Sequence, residues 1–274
     1  MSLRVGIGGW VYPPWRGSFY PPGLPQAREL AHASRNVTSI EINGTFYGSQ
    51  RPESFRRWRE ETPEDFVFSL KAPRFATHRR VLAEAGATIE RFLASGVLEL
   101  GPKLGPILWQ FPPTKRFEEE DFAAFLALLP RERDGRPLRH VVEIGHESFA
   151  VPGFPALLRR FGVAAALVDS ERHPLIAEVT TDFLYARLRR SETDEPTGYA
   201  PEALDAWATR LLELAGARDG FVYFINGAKE RAPAAAMALL ERLGVAKPAP
   251  QPSTAKPAPR SPKPSRSSRK ARGP

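Results

Sequence analysis

No cysteine occurs among the 274 residues. Disulfides, thiolate zinc sites and iron–sulfur clusters are therefore excluded. Long apolar runs are missing too. Val163–Val168 is among the longest, against the roughly 20 residues that a membrane-spanning helix needs. Gly8-Gly9 and Pro13-Pro14 interrupt the first apolar stretch too early for a secretory signal. These absences predict a soluble, cytoplasmic protein with no membrane span. Neither a Walker-type phosphate loop nor a nucleophile elbow is present. What remains is 42% hydrophobic and 26% charged, the composition of a globular chain able to bury a sizeable core.

The net charge of +8 and a pI near 10.0 suggest a nucleic-acid partner, but the charge is unevenly placed. Residues 246–274 hold four Lys, four Arg and no acid, which leaves 31 basic against 31 acidic residues in 1–245. The same stretch has eight prolines and no large apolar side chain. It cannot bury enough surface to offset its chain entropy, so a disordered tail is expected. It would serve as a solubilising extension or as an electrostatic arm for RNA, DNA or anionic lipid.

Residues 1–245 alternate short apolar runs with helical spacing and carry no internal repeat. The runs are Arg4–Gly8, Ser39–Asn43, Phe66–Leu70, Pro106–Gln110, His140–Ile144, Ala164–Val168, Phe183–Leu188 and Phe221–Ile225. Phe122, Phe125, Leu126 and Leu129 follow the i, i+3, i+4, i+7 pattern, and Leu204, Trp207, Leu211 and Leu214 nearly so. Pro52 and Pro201 stand where first-turn prolines begin helices. Eight strand–helix units in this length predict a (β/α)8 TIM barrel as one domain over 1–245, with the tail as 246–274. A doubly wound sheet fits less well. Its phosphate turn would be Gly6-Ile7-Gly8-Gly9-Trp10-Val11, which lacks the third glycine and is crowded by aromatics.

Barrel chemistry sits at the C-terminal strand ends, and each strand ends in a polar or aromatic residue. Strand one exits into Trp10 and Tyr12. Glu41 and Asn43 alternate with Ile40 and Ile42 on strand two. Lys71 ends strand three, with His78 in the loop beyond, and Gln110 ends strand four. Glu143 ends strand five, followed by His146, and Asp169 ends strand six. Tyr185, Arg187 and Arg189 alternate with Leu184, Ala186 and Leu188 on strand seven. Asn226 follows strand eight. Alternation predicts that Glu41, Asn43, Tyr185 and Arg187 face inward. An internal salt-bridge network would suffice to explain them. Five charged groups from five strands point instead to a functional pocket.

These residues resemble the YecE-like family, domain of unknown function 72. The resemblance covers about residues 3–240. Its motifs are Gly9-Trp10-Val11-Tyr12 with Trp15, Gly17 and Phe19-Tyr20-Pro21; Glu41-Ile42-Asn43-Gly44-Thr45-Phe46-Tyr47; Phe66 to Pro73 with Thr77-His78; Leu104 to Pro113; and Tyr185-Ala186-Arg187. It implies the same barrel and leaves the chemistry open. Three departures stand out. Gly145 replaces an arginine expected after strand five, Phe149 replaces a tryptophan, and Arg189 replaces a histidine. Arg189 is the candidate to restore the lost positive charge.

The expected function is that of an enzyme acting on a small anionic substrate, whether by acid–base or metal-assisted chemistry. Lys71 and Arg187 would hold a phosphate or carboxylate. Glu41, Glu143, Lys71 and Asp169 are the catalytic candidates. Trp10, Tyr12 and Tyr47 would form an aromatic wall. Asn43, His78, Gln110, His146, Tyr185 and Asn226 would orient the ligand. No cofactor motif is evident. Glu41, Glu143 and Asp169 are candidate ligands for magnesium or manganese, and paired carboxylates beside aromatics also suit glycoside chemistry. The alternative is a nucleic-acid-binding or processing protein that uses the basic mouth and tail. Deleting residues 246–274 should remove most of the salt-sensitive binding to a single-stranded oligonucleotide, read by fluorescence anisotropy between about 50 and 200 mM salt. Tight, salt-sensitive binding by the truncated chain would instead locate the nucleic-acid site on the barrel.

Overall fold

The computed structural model describes residues 2–171, 174 and 176–245. The expected disordered tail, 246–274, and His173 lie outside the described residues. Eight strands build the centre: β1 Leu3–Gly8, β2 Ser39–Ile42, β3 Val67–Lys71, β4 Leu104–Gln110, β5 His140–Glu143, β6 Ala164–Asp169, β7 Phe183–Leu188 and β8 Asp219–Phe224. Each pairs in parallel with its sequence neighbours, and β8 returns to β1 to close the barrel. Each expected strand is found within two residues of its sequence-derived ends.

Among the described residues, the α-helices longer than one turn are α1 Glu29–Ala33, α2 Pro52–Glu61, α3 Gly86–Leu93, α4 Glu119–Ala127, α5 Gly153–Phe161, α6 Pro201–Ala215 and α7 Ala232–Arg242. Proline opens α2 and α6, where its missing N–H costs no intrahelical bond. Glu119, Glu120 and Asp121 fill the first turn of α4, the end that favours negative charge. That helix buries Phe122, Phe125 and Leu126, while Leu129, the fourth residue of the expected stripe, is buried just beyond its end. In α6 the buried face is Leu204, Ala208, Leu211 and Ala215, while Trp207 and Leu214 are partly buried. Small alanines let α6 lie close, so the two larger side chains sit on its flanks. Between β6 and β7 no helix occurs among the described residues. Thr180 lies there along β6, accepting from Ala165 N–H at 3.0 Å and donating to the Val163 carbonyl at 2.8 Å. No helix among the described residues is long and apolar enough to cross a membrane.

The core has two layers. Ile40, Ile42, Leu184, Ala186 and Leu188 pack outward beneath the helices. Alternate residues fill the barrel interior, including Leu108, Val141, Val168, Tyr185 and Tyr223. The Tyr185 and Tyr223 rings lie 5.3 Å apart and are fully buried. Small residues on the opposite strands make room for them. Ser39 Oγ is 2.7 Å from the Tyr223 hydroxyl, and Ser69 Oγ is 2.8 Å from that of Tyr185. Gly6 completes this interior: a Cβ there would lie 1.8 Å from the Ser39 carbonyl oxygen. The obstruction is backbone of a paired strand, which cannot rotate away. Gly6→Ala should therefore destabilise the protein by about 3 kcal/mol or more, lowering the midpoint of urea unfolding. Gly44→Ala, whose Cβ would meet nothing closer than Gln50 Nε2 at 3.7 Å, should shift stability by less than about 0.5 kcal/mol.

Candidate functional site

At the C-terminal end of the barrel the strand exits are pinned to one another by side chains. Thr45, just beyond β2, donates from Oγ1 to the Lys71 carbonyl at 2.7 Å. Thr77, beyond β3, donates likewise to the Gln110 carbonyl at 2.6 Å. Asn226, beyond β8, has a positive φ of 56°, a conformation that asparagine tolerates better than most residues. Gly227 follows with φ 54°, and a Cβ there would collide with backbone oxygens of Arg189 and Ser191 at 2.7 Å. The long β1–α1 connection is stiffened by aromatics. Tyr20 donates its hydroxyl to the Trp10 carbonyl at 2.5 Å, and Trp15 Nε1 donates to the Lys229 carbonyl at 3.0 Å. Trp10 in turn packs edge-on against Trp58 of α2, ring centroids 5.2 Å apart.

Within this frame lies a buried ionic cluster. Arg187 reaches from β7 to two strands. Its Nε and Nη2 donate to the two oxygens of Glu41 at 3.0 and 2.8 Å, and its Nη1 donates to Glu143 Oε2. Tyr185, one layer below, donates to Glu41 Oε2 at 2.7 Å. Glu143 Oε1 accepts from Gln110 Nε2 at 2.6 Å and from Arg189 Nη2 at 2.5 Å. Burial alone would raise the Glu143 pKa. The Arg187 and Arg189 guanidiniums outweigh burial and bring it down to about 2. Burial likewise opposes the Arg187 charge, and Glu143 and Glu41 outweigh it, holding that guanidinium above its ordinary value. Among the described residues, two carboxylates and two guanidiniums make the cluster formally neutral. Arg189, just beyond β7, brings its guanidinium onto Glu143.

Above the cluster opens a cavity of about 840 Å³. Lys71, Arg187, Arg189 and Lys229 contribute cationic side chains to its wall, and His78 sits at its rim. No Asp or Glu lines it among the described residues. Lys71 is nearly buried, 7% exposed, with Nζ 3.9 Å from the centroid of the Phe46 ring. It forms no hydrogen bond or ion pair with any described residue. Burial, and then the Arg187 charge, lower its pKa from 10.5 to about 8. Lys229 lies over the Tyr12 ring at 4.6 Å, and burial lowers its pKa as well.

The cavity brings together Trp10, Asn43, Tyr47, Lys71, His78, Gln110, Arg187 and Asn226. The other expected site residues lie elsewhere. Glu41 and Glu143 are buried beneath the floor on Arg187 and do not line the cavity. They are consequently not arranged as a facing carboxylate pair for glycoside chemistry. Tyr185 belongs to the interior layer and supports Glu41. Asp169 points out of the barrel, where its Oδ2 accepts from Tyr199 at 3.2 Å. Ala164, Ala166 and Val168 are the inward residues of β6, so Asp169 has the opposite parity. The expected Glu41–Glu143–Asp169 metal set therefore does not converge, and no cluster of three His, Asp or Glu suited to a metal occurs among the described residues. Tyr12 lies behind the wall and supports Lys229. His146 caps the turn after β5, its Nδ1 accepting from Ser148 N–H at 3.1 Å. Phe46, Gln50, Trp58 and Lys229 line the cavity without having been singled out as ligand-facing. Only the Phe46 position, inside the Glu41–Tyr47 motif, carried a sequence signal.

Comparison with known proteins places this architecture. Residues 4–261 match the family model described as protein of unknown function DUF72. The chain is 30% identical over 154 residues to YecE of Escherichia coli K12, covering 55% of this chain and 51% of that protein. It is 32% identical over 127 residues to YunF of Bacillus subtilis 168, covering 44% of each. These matches span about half the length of the curated relatives. A DUF72 family protein of Thermotoga maritima superposes with a TM-score of 0.72 at 24% identity, covering 89% of this chain and 100% of the other. That likeness shows the barrel fold, and the family match rests on the sequence: the chain belongs to the DUF72 family of proteins of unknown function.

Proposed function

We propose that the barrel mouth binds a small molecule bearing a carboxylate or phosphate and acts on it as an enzyme. One observation carries this reading: four cationic side chains and no carboxylate line the cavity among the described residues. Glu41 and Glu143 neutralise Arg187 and Arg189 from below, so the charge of Lys71 is left for a ligand. A bound anion would accept from the Lys71 ammonium and from the arginine edge, as charge-assisted bonds. Asn43, Gln110 and Asn226 supply amide donors and acceptors that orient the rest of the molecule. Trp10 and Tyr47 offer flat surface to a ring or chain. Lys71, its pKa lowered to about 8, is a titratable group on the wall suited to proton transfer near neutral pH.

A second reading has its own observation. Tyr47 and Phe75, on successive strand exits, are 68% and 61% exposed. Arg51, Arg74, Arg79 and Arg80 accompany them along the chain. Exposed rings beside arginines suit a single nucleic-acid strand, with bases stacked on the rings and phosphates on the guanidiniums.

Titration calorimetry with lactate, whose charge is constant above about pH 5, tests the leading proposal. Lys71→Met should weaken lactate binding about tenfold to a hundredfold, the contribution of a charge-assisted bond. Affinity should be highest below pH 8 and fall as pH rises through it, because deprotonation near the lowered Lys71 pKa of about 8 removes the positive donor. Arg187, Arg189, Glu41, Glu143 and His78 also act on this amine. Of these, Glu143, held at about 2, and the arginines do not titrate between pH 7 and 9. Lactate binding that is indifferent to Lys71→Met and flat from pH 7 to 9 would contradict the reading. Tight oligonucleotide binding by residues 1–245, lost on Tyr47→Ala, would favour the second.

A further inference from the structure

We propose that Lys71 is a covalent lysine, forming an imine with the carbonyl carbon of a small anionic oxo compound such as a 2-oxo carboxylate. The inference rests on the anion-binding reading above and adds a reaction and a substrate class to it.

Four features of the geometry support this. Lys71 stands at the end of β3 and opens on the cavity. Thr45 fixes its backbone through the carbonyl contact. Its amine lies over the Phe46 ring and has no ion-pair or hydrogen-bond partner among the described residues. A lysine retained for structure alone would be expected to hold such a partner when this deeply buried. Finally, Lys229, whose ammonium lies over the Tyr12 ring, lines the same cavity, and its charge can hold the anionic end of a ligand whose carbonyl meets Lys71 Nζ. Desolvation beside other cations is a general means of making a lysine amine nucleophilic. A pKa of about 8 leaves a large neutral fraction at that pH, far more than a lysine of ordinary pKa near 10.4.

The step balances without an oxidant or reductant. The ammonium gives up one proton, and the nitrogen lone pair attacks the carbonyl carbon. The carbonyl π pair moves to oxygen, which takes up the released proton, giving a carbinolamine. A second N–H proton passes to that hydroxyl, which leaves as water while the C=N bond forms. Ammonium and carbonyl become iminium and water, with one positive charge on each side. The neutral cluster beneath therefore faces the same charge before and after the reaction.

The experiment is borohydride trapping on the full chain at pH 8. Protein is incubated with pyruvate, reduced, and analysed by intact mass and peptide mapping, while lactate binding is measured in parallel by calorimetry. The expected result is one reduced pyruvate per chain, located on Lys71, at a yield at least about tenfold above that at any other lysine, Lys229 included. Folded Lys71→Met, checked by circular dichroism, should lose the adduct. Mapping on the unsubstituted protein decides the question even if that variant does not fold. Lactate binding without any pyruvate adduct on Lys71, or an adduct shared evenly among lysines, would overturn the covalent role and leave anion binding intact. Neither binding nor trapping would overturn both.

Discussion

The Arg187 guanidinium, held between Glu41 and Glu143, is the contact on which the rest of the mouth depends. It joins β2, β5 and β7 across the barrel. All three side chains are nearly inaccessible, so each carries a large desolvation cost that its buried partners offset. Removing one partner of such a buried cluster generally costs about 3–5 kcal/mol, since it strands an unpaired charge. Tyr185 and Gln110 add hydrogen bonds to the carboxylates from below and beside. The packing beneath serves the same end. Glycine and serine on β1–β3 accept the two large tyrosines of β7 and β8, which places the Tyr185 hydroxyl against Glu41.

This cluster determines the electrostatics of the cavity. A mouth with two glutamates, two arginines and two lysines could have been acidic, mixed or basic. Because the glutamates lie below the floor on the arginines, the wall carries cationic side chains and no carboxylate among the described residues. The same arrangement removes Glu41 and Glu143 from direct contact with a ligand. Their part is to position Arg187 and Arg189. In the proposed reaction the chemistry falls to Lys71, whose amine lies over the Phe46 ring and has no hydrogen-bond or ion-pair partner among the described residues.

Much of the fold could be read from the chain. Strict alternation in Ser39–Ile42 and Phe183–Leu188 fixed which residues face inward, and strand number and spacing gave the barrel. Alternation failed at β6, where Ala164 to Val168 is apolar on both faces. A buried parallel strand often reads so, and the parity of Asp169 was therefore invisible. Depth was equally hidden. Glu41 and Arg187 are 146 residues apart, and no local pattern says that one will cover the other. Tyr12 and His146 lie on connections whose course is set by aromatic packing and a turn, without periodicity. Lys229 and Trp58 reach the cavity from a short 3-10 turn, Lys229–Arg231, and a helix face that strand-end reasoning does not consider.

The central claim is that Glu41 and Glu143 pair with Arg187 and Arg189, while Lys71 lines the cavity with no carboxylate partner among the described residues. The most direct measurement is NMR titration of the Lys71 side chain, with 13Cε and 15Nζ labels assigned through Lys71→Arg. The account predicts a midpoint near pH 8 in the free protein, moving upward when lactate saturates the cavity. A midpoint at the ordinary value of 10.5, unchanged by the anion, would contradict it.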